Sequence, residues 1–152
     1  MYVCISKAQR RLWLFHQGAE ILSADIALGR EPMGAKTCEG DGRTPEGIYH
    51  VCLIKPEGKH GQSLGLDYPS PEDASLALKE GRIDPVACEA ILSAHREKRR
   101  PPWGTALGGE IYIHGGGAQK DWTQGCIALS DCQMAQLFTH REQIDFVEIL
   151  PE

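Results

Sequence analysis

The sequence lacks two features that would place the chain in a membrane or on a nucleic acid. No apolar run approaches the roughly 18 residues that a transmembrane helix needs, and the first residues, MYVCISKAQRRLWLFH, contain no signal-peptide core. The net charge is -5 at pH 7, and the only basic run, residues 96–100, is typical of a solvated helix end. We therefore expect no transmembrane segment and no nucleic-acid partner.

Metal-ligand spacing is also missing. The chain has six cysteines and six histidines, but they form no CxxC pair and no zinc knuckle. The histidines are scattered along the chain. The sequence therefore predicts no metal site and no cofactor.

The length and apolar content are typical of one domain, which we place at residues 1–152. The chain has 152 residues, of which 41% are apolar, enough for a hydrophobic core without metal or disulfide cross-links. Alternating apolar and polar residues predict strands at 2–6, 12–15, 20–28, 48–54 and 146–150, the first three as a meander. We therefore predict a mainly β fold, a sandwich or curled sheet with a few inserted helices.

Helix-start signals mark the inserted helices. Ser70 and Asp73 form a capping-box pattern around Pro71, and Asp84 precedes a second proline. Ser130 and Gln133 give a third signature of this kind. We therefore predict a helical pair after residue 70 and one helix behind residue 130, with 55–65 as a flexible connection.

A long loop at residues 29–47 is rich in glycine, proline and charge. It carries Lys36, Asp41, Arg43 and Thr44. Because loops of this length in a small domain are usually functional, we expect this one to shape a site.

Residues 110–131, EIYIHGGGAQKDWTQGCIALSD, bring together residues suited to chemistry. Residues 110–113 alternate as a strand, which places His114 at a strand end. Glycines follow it, and Cys126 comes directly after Gly125. A cysteine with a histidine one loop away is the sequence form of a thiol nucleophile and its general base.

This pair is suited to acyl transfer. An imidazole can take the proton of a thiol and later deliver it to a leaving amine. The backbone N–H groups of Gln124, Gly125 and Cys126 are the natural oxyanion-hole donors if the turn is tight. The pair alone fits a packed cysteine and a satisfied strand-end histidine equally well.

The chain resembles the L,D-transpeptidase (YkuD) catalytic-domain family. The matching elements are His114-Gly115, the segment from Thr123 to Cys126, and ALGREPMGAKTCEGDGRTPEGIY at residues 27–49. The similarity continues through LGLDYPSPEDA and GGEIYIHGG and so covers most of the chain. It implies an L,D-transpeptidase-like fold, activity on peptidoglycan stem peptides, and a place in the periplasm or cell envelope, although no signal peptide is visible.

The resemblance also implies roles for individual residues. Cys126 would attack the carbonyl that links the L-centre of meso-diaminopimelate to D-alanine, with His114 as base and the Gly115 carbonyl orienting it. From the sequence alone, Asp121 is an alternative orienting group. We expect Tyr112, Thr123 and Arg43 to bind substrate; Tyr112 shares a strand face with His114, and a core role fits it equally well.

Two positions depart from the family pattern. Gln124 stands where members often have histidine, and Ala128 where they often have an arginine able to bind a carboxylate. A hydrolase using the same cysteine, an L,D-carboxypeptidase or murein hydrolase, therefore stays open. So does a non-catalytic wall-binding module, in which Cys126 would be unreactive or joined to Cys132.

The remaining cysteines are interpreted as packed thiols, with disulfides only in an exported protein. They are Cys4, Cys38, Cys52, Cys88 and Cys132.

Overall fold

Two mixed β-sheets and three helices make up the computed structural model, which describes residues 1–152. The first sheet has the strand order β3-β2-β1-β9-β4 and the second the order β5-β6-β7-β8. The strands are β1 (Tyr2–Ser6), β2 (Arg11–His16), β3 (Ala19–Asp25), β4 (Gly47–Tyr49), β5 (Val51–Lys55), β6 (Ser63–Leu66), β7 (Tyr112–His114), β8 (Ile127–Ala128) and β9 (Phe146–Leu150). The helices are α1 (Pro71–Lys79), α2 (Pro85–Arg96) and α3 (Asp131–Phe138). The predicted mainly β fold with inserted helices is confirmed.

The first sheet begins with the predicted meander. Strands β1 and β2 pair antiparallel, with Val3 opposite Leu14 and Ile5 opposite Leu12, and all four side chains are fully buried. Strand β3 follows antiparallel to β2 but ends at Asp25, short of the predicted residue 28. Strand β9 lies where the sequence predicts it, parallel to β1 and antiparallel to β4. The alternation of side chains therefore specified this sheet well.

The predicted strand at 48–54 is wrong as a single element. It breaks at His50, whose backbone N–H donates to Asp67 Oδ1 at 2.7 Å instead of joining a strand ladder. The residues before the break form β4 in the first sheet, and those after it form β5 in the second. The chain therefore changes sheets at His50.

The predicted flexible connection at 55–65 is also partly wrong, because its end belongs to β6. All four residues of β6 are buried, including Ser63 and Gly65, so neither face of this strand is exposed to solvent. The predicted strand at 110–113 is shifted: Glu110 has a φ of 56°, outside the extended region, and β7 starts at Tyr112. His114 is the last residue of β7, as predicted.

The helices begin directly after the predicted N-cap residues. The Ser70 hydroxyl accepts from the Asp73 N–H at 3.0 Å and the Asp73 carboxylate accepts from the Ser70 N–H at 2.9 Å, a complete capping box. The Asp84 side chain caps α2 through the Ala87 N–H. At α3 only half of the predicted box forms, because the Gln133 side chain donates to the Ser23 carbonyl instead.

One cluster of 26 buried apolar residues joins both sheets to the helices. Its members include Leu14 and Ile149 of the first sheet, Leu64 and Ile113 of the second, and Leu137 of α3. The basic run at 96–100 is exposed, as expected of a helix end. The longest helix, α2, has 12 residues, and no helix combines the length and apolar character needed to cross a bilayer.

Candidate active site

Cys126 lies directly before β8, beside the start of β7. In the parallel β7–β8 pair Ile113 is opposite Ile127, which brings Cys126 next to Tyr112. The Cys126 sulfur accepts from the Tyr112 backbone N–H and donates to the Glu110 carbonyl, both at 3.4 Å. The main chain of residues 110–112 therefore holds the thiol in place.

His114 is buried at the end of β7, and its ring makes one hydrogen bond. Its Nδ1 lies 2.5 Å from the Gly115 carbonyl oxygen. Because a carbonyl only accepts, Nδ1 carries the proton and Nε2 is left as the proton acceptor. The interaction is the one that we expected of Gly115.

Asp121, the alternative orienting group, does not contact His114, and that alternative is wrong. Its carboxylate accepts from the Arg10 guanidinium at 2.9 Å and from the Leu28 N–H at 3.0 Å. Arg10 also donates to the Lys7 carbonyl. Asp121 therefore ties the β1–β2 turn to the segment that precedes the long loop.

Burial keeps both Cys126 and His114 uncharged near neutral pH. It raises the pKa of the Cys126 thiol, with Glu110 adding to the rise and the Tyr112 N–H and Lys36 opposing it. It lowers the pKa of His114, with His60 adding to the fall and the Gly115 hydrogen bond opposing it. The resting site therefore holds a neutral thiol and a neutral imidazole able to accept its proton.

The turn before Cys126 requires glycine. Gly125 has a φ of 135°, and a Cβ there would lie 2.7 Å from the Arg43 carbonyl oxygen. The Thr123 hydroxyl accepts from the Gly125 N–H at 3.1 Å and donates to the Cys126 carbonyl at 2.7 Å. Thr123 therefore closes the turn from within.

The hydrogen bonds of this turn occupy one of the three expected oxyanion-hole donors and leave the other two unpaired. The Gly125 N–H is already bonded to Thr123, so it is not free for a substrate oxygen. The N–H groups of Gln124 and Cys126 have no acceptor within the chain. The structure thus leaves two of the three predicted N–H groups unpaired beside the thiol.

The long loop is held by buried charges. Asp41 accepts from the Lys36 ammonium at 2.9 Å and from three backbone N–H groups; burial raises its pKa, but these bonds together hold it below its ordinary value. The Lys7 ammonium, from the β1–β2 turn, donates to the carbonyls of Gly34 and Thr44 and to Glu46. The loop is therefore ordered by side chains at its middle and both flanks.

Cys126 and His114 open on the same cleft, which has a volume of about 490 Å³. Its remaining lining is strongly charged: the basic side chains are Arg30, Lys36, Lys55, Lys59 and His60, and the acidic ones are Glu39 and Glu110. Only four of its 17 lining residues are hydrophobic. The cleft therefore fits a polar substrate that carries carboxylates.

Residues 1–149 match the family model of the L,D-transpeptidase catalytic domain, YkuD. The chain belongs to the YkuD family. No curated protein has a sequence that matches this chain.

Solved structures share the YkuD fold. The helical cell shape determining protein Pgp2 from Campylobacter jejuni superposes with a TM-score of 0.67 at 23% identity, over 97% of this chain and 46% of that one. The L,D-transpeptidase from Xylanimonas cellulosilytica gives 0.56 at 14% identity, over 98% and 59%. An Enterococcus faecium L,D-transpeptidase gives 0.55 at 14% identity, over 98% and 49%. The chain thus spans about half the length of these structures.

The expected substrate-binding residues of this YkuD domain lie in different places. Tyr112 lines the cleft, where the Lys55 ammonium lies 4.9 Å from its ring centroid. Thr123 also lines the cleft, but its hydroxyl is used within the turn. Arg43 is not among the lining residues: its carbonyl faces Gly125 and its guanidinium packs beside Gly34.

Sequence reasoning missed several residues that the YkuD fold brings to the cleft. His60 and Trp122 pack around His114, and Arg30 reaches the cleft because its N–H donates to the Thr123 carbonyl. Their signals were weak, since His60 sits in a glycine-rich connection and Arg30 at the edge of the long loop. All six cysteines, including Cys126 and Cys132, are free thiols.

Proposed function

We propose that this chain is a cysteine acyltransferase of peptidoglycan stem peptides, an L,D-transpeptidase, and that residues 1–152 form one catalytic domain acting in the periplasm or cell envelope. The observation that supports it is the cleft shared by the Cys126 thiol and the His114 imidazole, with unpaired N–H groups of Gln124 and Cys126 beside the sulfur. Membership of the YkuD family favours a peptidoglycan substrate. No metal or cofactor takes part in the proposed reaction.

The first half-reaction forms a thioester. His114 Nε2 takes the proton of Cys126, whose sulfur bonds to the carbonyl carbon between the L-centre of meso-diaminopimelate and D-alanine. The carbonyl oxygen becomes an oxyanion and is bound by the N–H groups of Gln124 and Cys126. The carbon–nitrogen bond then breaks, and His114 returns the proton to the departing D-alanine amine.

The second half-reaction resolves the thioester. An amine of a second stem peptide attacks the thioester carbonyl and loses a proton to His114, and the thiol of Cys126 is restored as the new amide forms. Water in place of the amine gives hydrolysis. The same residues serve both reactions, so the product identifies the acceptor.

The charged lining suggests how a stem peptide binds. Arg30 and Lys59 have no carboxylate partner within the chain and are available to substrate carboxylates. We propose that Tyr112 lines the groove through its ring. Thr123 and Arg43 would act on substrate through the shape of the turn that they enclose.

The test is mass spectrometry of a disaccharide-tetrapeptide incubated with the wild type, Cys126→Ala or Cys132→Ala, with and without a D-amino acid. We expect cross-linked dimers or exchange of the terminal residue with the wild type and with Cys132→Ala, which removes an exposed thiol. Cys126→Ala should give neither product while its thermal unfolding matches the wild type.

The products decide between the candidate functions. Loss of the terminal residue alone, dependent on Cys126, would make the protein an L,D-carboxypeptidase. Unchanged substrate with folded wild type would overturn the acyltransferase and leave a wall-binding role. Product formation by Cys126→Ala would overturn the mechanism.

A further inference from the structure

A second histidine stacks on His114. The ring centroids of His60 and His114 lie 4.4 Å apart and their planes differ by 18°. The Trp122 ring meets both rings edge-on, with centroids 5.3 Å from His60 and 5.6 Å from His114. His114 is therefore covered on one face by His60 and along another side by Trp122.

The chain path places His60 there through the connection between β5 and β6. Within this connection the Gly61 N–H donates to the Gly58 carbonyl at 3.0 Å, and Gly61 has a φ of 77°, so the backbone turns sharply at His60. Three residues later Ser63 pairs with His114 across the β6–β7 ladder. The position of His60 over His114 thus follows from the register of β6 on β7.

Trp122 is itself held in place. Its Nε1–H donates to the Gly117 carbonyl at 3.0 Å, which anchors the indole to the glycine turn after His114. The Gly116 N–H in the same turn donates to Asp131 at the start of α3. The group that backs both histidines is therefore fixed to the core rather than to the β5–β6 connection.

The stacking complements the hydrogen bond of His114. The Gly115 carbonyl fixes the position of Nδ1, but a single hydrogen bond leaves the tilt of the ring free. A parallel ring 4.4 Å away restricts that tilt.

We propose that His60 is a positioning residue for His114, holding its ring in the plane needed for proton transfer with Cys126. This inference rests on the proposed function, in which His114 is the base. Through His60, the β5–β6 connection would position the base, a role separate from any contact of Lys59 with substrate carboxylates.

Other titratable groups line the cavities around this pair and share in its electrostatics. They are Lys55 at the end of β5, Lys59 in the β5–β6 connection, Glu110 before β7, the neutral thiol of Cys126 before β8, and Asp131 at the start of α3. None of them is altered in the variants below, so a change in the titration of His114 reports on residue 60.

The first test is an NMR pH titration of the histidine rings in the wild type, His60→Ala, His60→Phe and the control His16→Ala, an exposed histidine outside the cleft. We expect a ring-to-ring nuclear Overhauser effect between residues 60 and 114 in the wild type. Because burial and the His60 charge both lower the pKa of His114, we expect it to rise most in His60→Ala, less in His60→Phe, and not at all in His16→Ala.

The second test is steady-state kinetics on the tetrapeptide substrate. A lost stacked pair is expected to lower kcat roughly 3- to 10-fold in His60→Ala, with KM changed by less than about twofold. His60→Phe should recover most of kcat because it restores the stacked face. His16→Ala should match the wild type.

The outcomes separate this inference from the proposed function. An identical His114 titration in the wild type and His60→Ala would overturn the positioning role, even in a protein that turns over no substrate. A rise in KM alone, or a His60→Phe variant as slow as His60→Ala, would also overturn it. If the wild type is inactive but its His114 titration still differs from that of His60→Ala, the acyltransferase function is overturned and the contact between the rings is retained.

Discussion

The first sheet and the cleft end of the second sheet are stabilised in different ways. The central strands β1, β2 and β9 have five or six residues each and bury an alternating apolar face. At the cleft, β7 has three residues and β8 two, and most of the surrounding chain is loop. The first region depends on burial of side chains, and the second depends on buried polar contacts that hold loops against short strands.

The two regions are nevertheless connected at one turn. Lys7 and Arg10 lie between β1 and β2, yet Lys7 holds the long loop and Arg10 holds Asp121. The regular sheet therefore supplies the anchors for the irregular site. Damage to the core should lower the free energy of unfolding without altering chemistry, whereas damage to the turn at Cys126 should lower activity.

Among the variants that test this difference between the two regions, Gly125→Ala is expected to have the largest effect, on activity. The new Cβ would lie 2.7 Å from the Arg43 carbonyl at a φ that disfavours alanine, so the turn must move and carry the oxyanion-hole N–H groups with it. We expect kcat to fall by roughly 100-fold, as for loss of an oxyanion-hole donor. The measurement is the mass-spectrometric assay, beside thermal unfolding.

Gly104→Ala is the matched control, since a Cβ there meets nothing within 4 Å. It should leave activity unchanged. A Gly125→Ala protein with normal turnover would show that the turn does not position the reacting groups.

A smaller effect, on stability alone, is expected from Leu14→Ala. Leu14 is fully buried in the first sheet, and such truncations cost about 2–5 kcal/mol of unfolding free energy. Urea unfolding measures the loss, with Ile21→Ala, at an exposed site, as the control. A loss of specific activity in the folded Leu14→Ala protein would contradict the separation of the two regions.

The smallest effect is expected from Asp121→Asn, and it should depend on pH. Burial raises the pKa of Asp121, but the Arg10 hydrogen bond and the Leu28 N–H outweigh it and hold the pKa below its ordinary value. In the unfolded chain, the Asp121 carboxylate therefore takes up its proton at a higher pH than in the folded protein. The stabilisation by its charge is complete above the pKa of the unfolded state and is lost as the pH falls through the pKa of the folded state. We expect Asp121→Asn to lose about 1 kcal/mol at pH 7 and less at an acidic pH below the unfolded pKa of aspartate.

Urea unfolding at both pH values measures this difference. The control is Asp25→Asn, whose pair with Arg11 is exposed and should contribute little at either pH. Equal losses at both pH values for Asp121→Asn would mean that its charge does not anchor the cleft.

Local sequence signals predicted the regular parts of the fold. Alternation predicted β1, β2 and β9, and the Ser70 and Asp84 caps placed the starts of α1 and α2. The same signals failed at β6, a four-residue strand whose Ser63 and Gly65 are buried like its leucines, and at His50, where a tertiary hydrogen bond to Asp67 divides the predicted strand. These failures arise because the deciding contacts are distant in the sequence.

The candidate site also has residues that the local sequence predicts and residues that only distant contacts bring into place. Cys126, His114 and the Gly115 carbonyl are close in sequence and could be recognised together; their catalytic roles stay predictions. Asp121 was placed beside His114 because it is near in the chain, but Arg10, more than a hundred residues away in sequence, binds it instead. His60 was missed because only the pairing of β6 with β7 brings it to His114.

Strand β9 has a consequence for when this protein folds during synthesis. It lies between β1 and β4, and β4 has no other partner in the first sheet. The meander of β1, β2 and β3 therefore emerges early but keeps an open edge until residues 146–150 leave the ribosome. During that interval the unpaired edge of β1 is exposed to other chains, so a pause in translation before β9 should favour aggregation over folding.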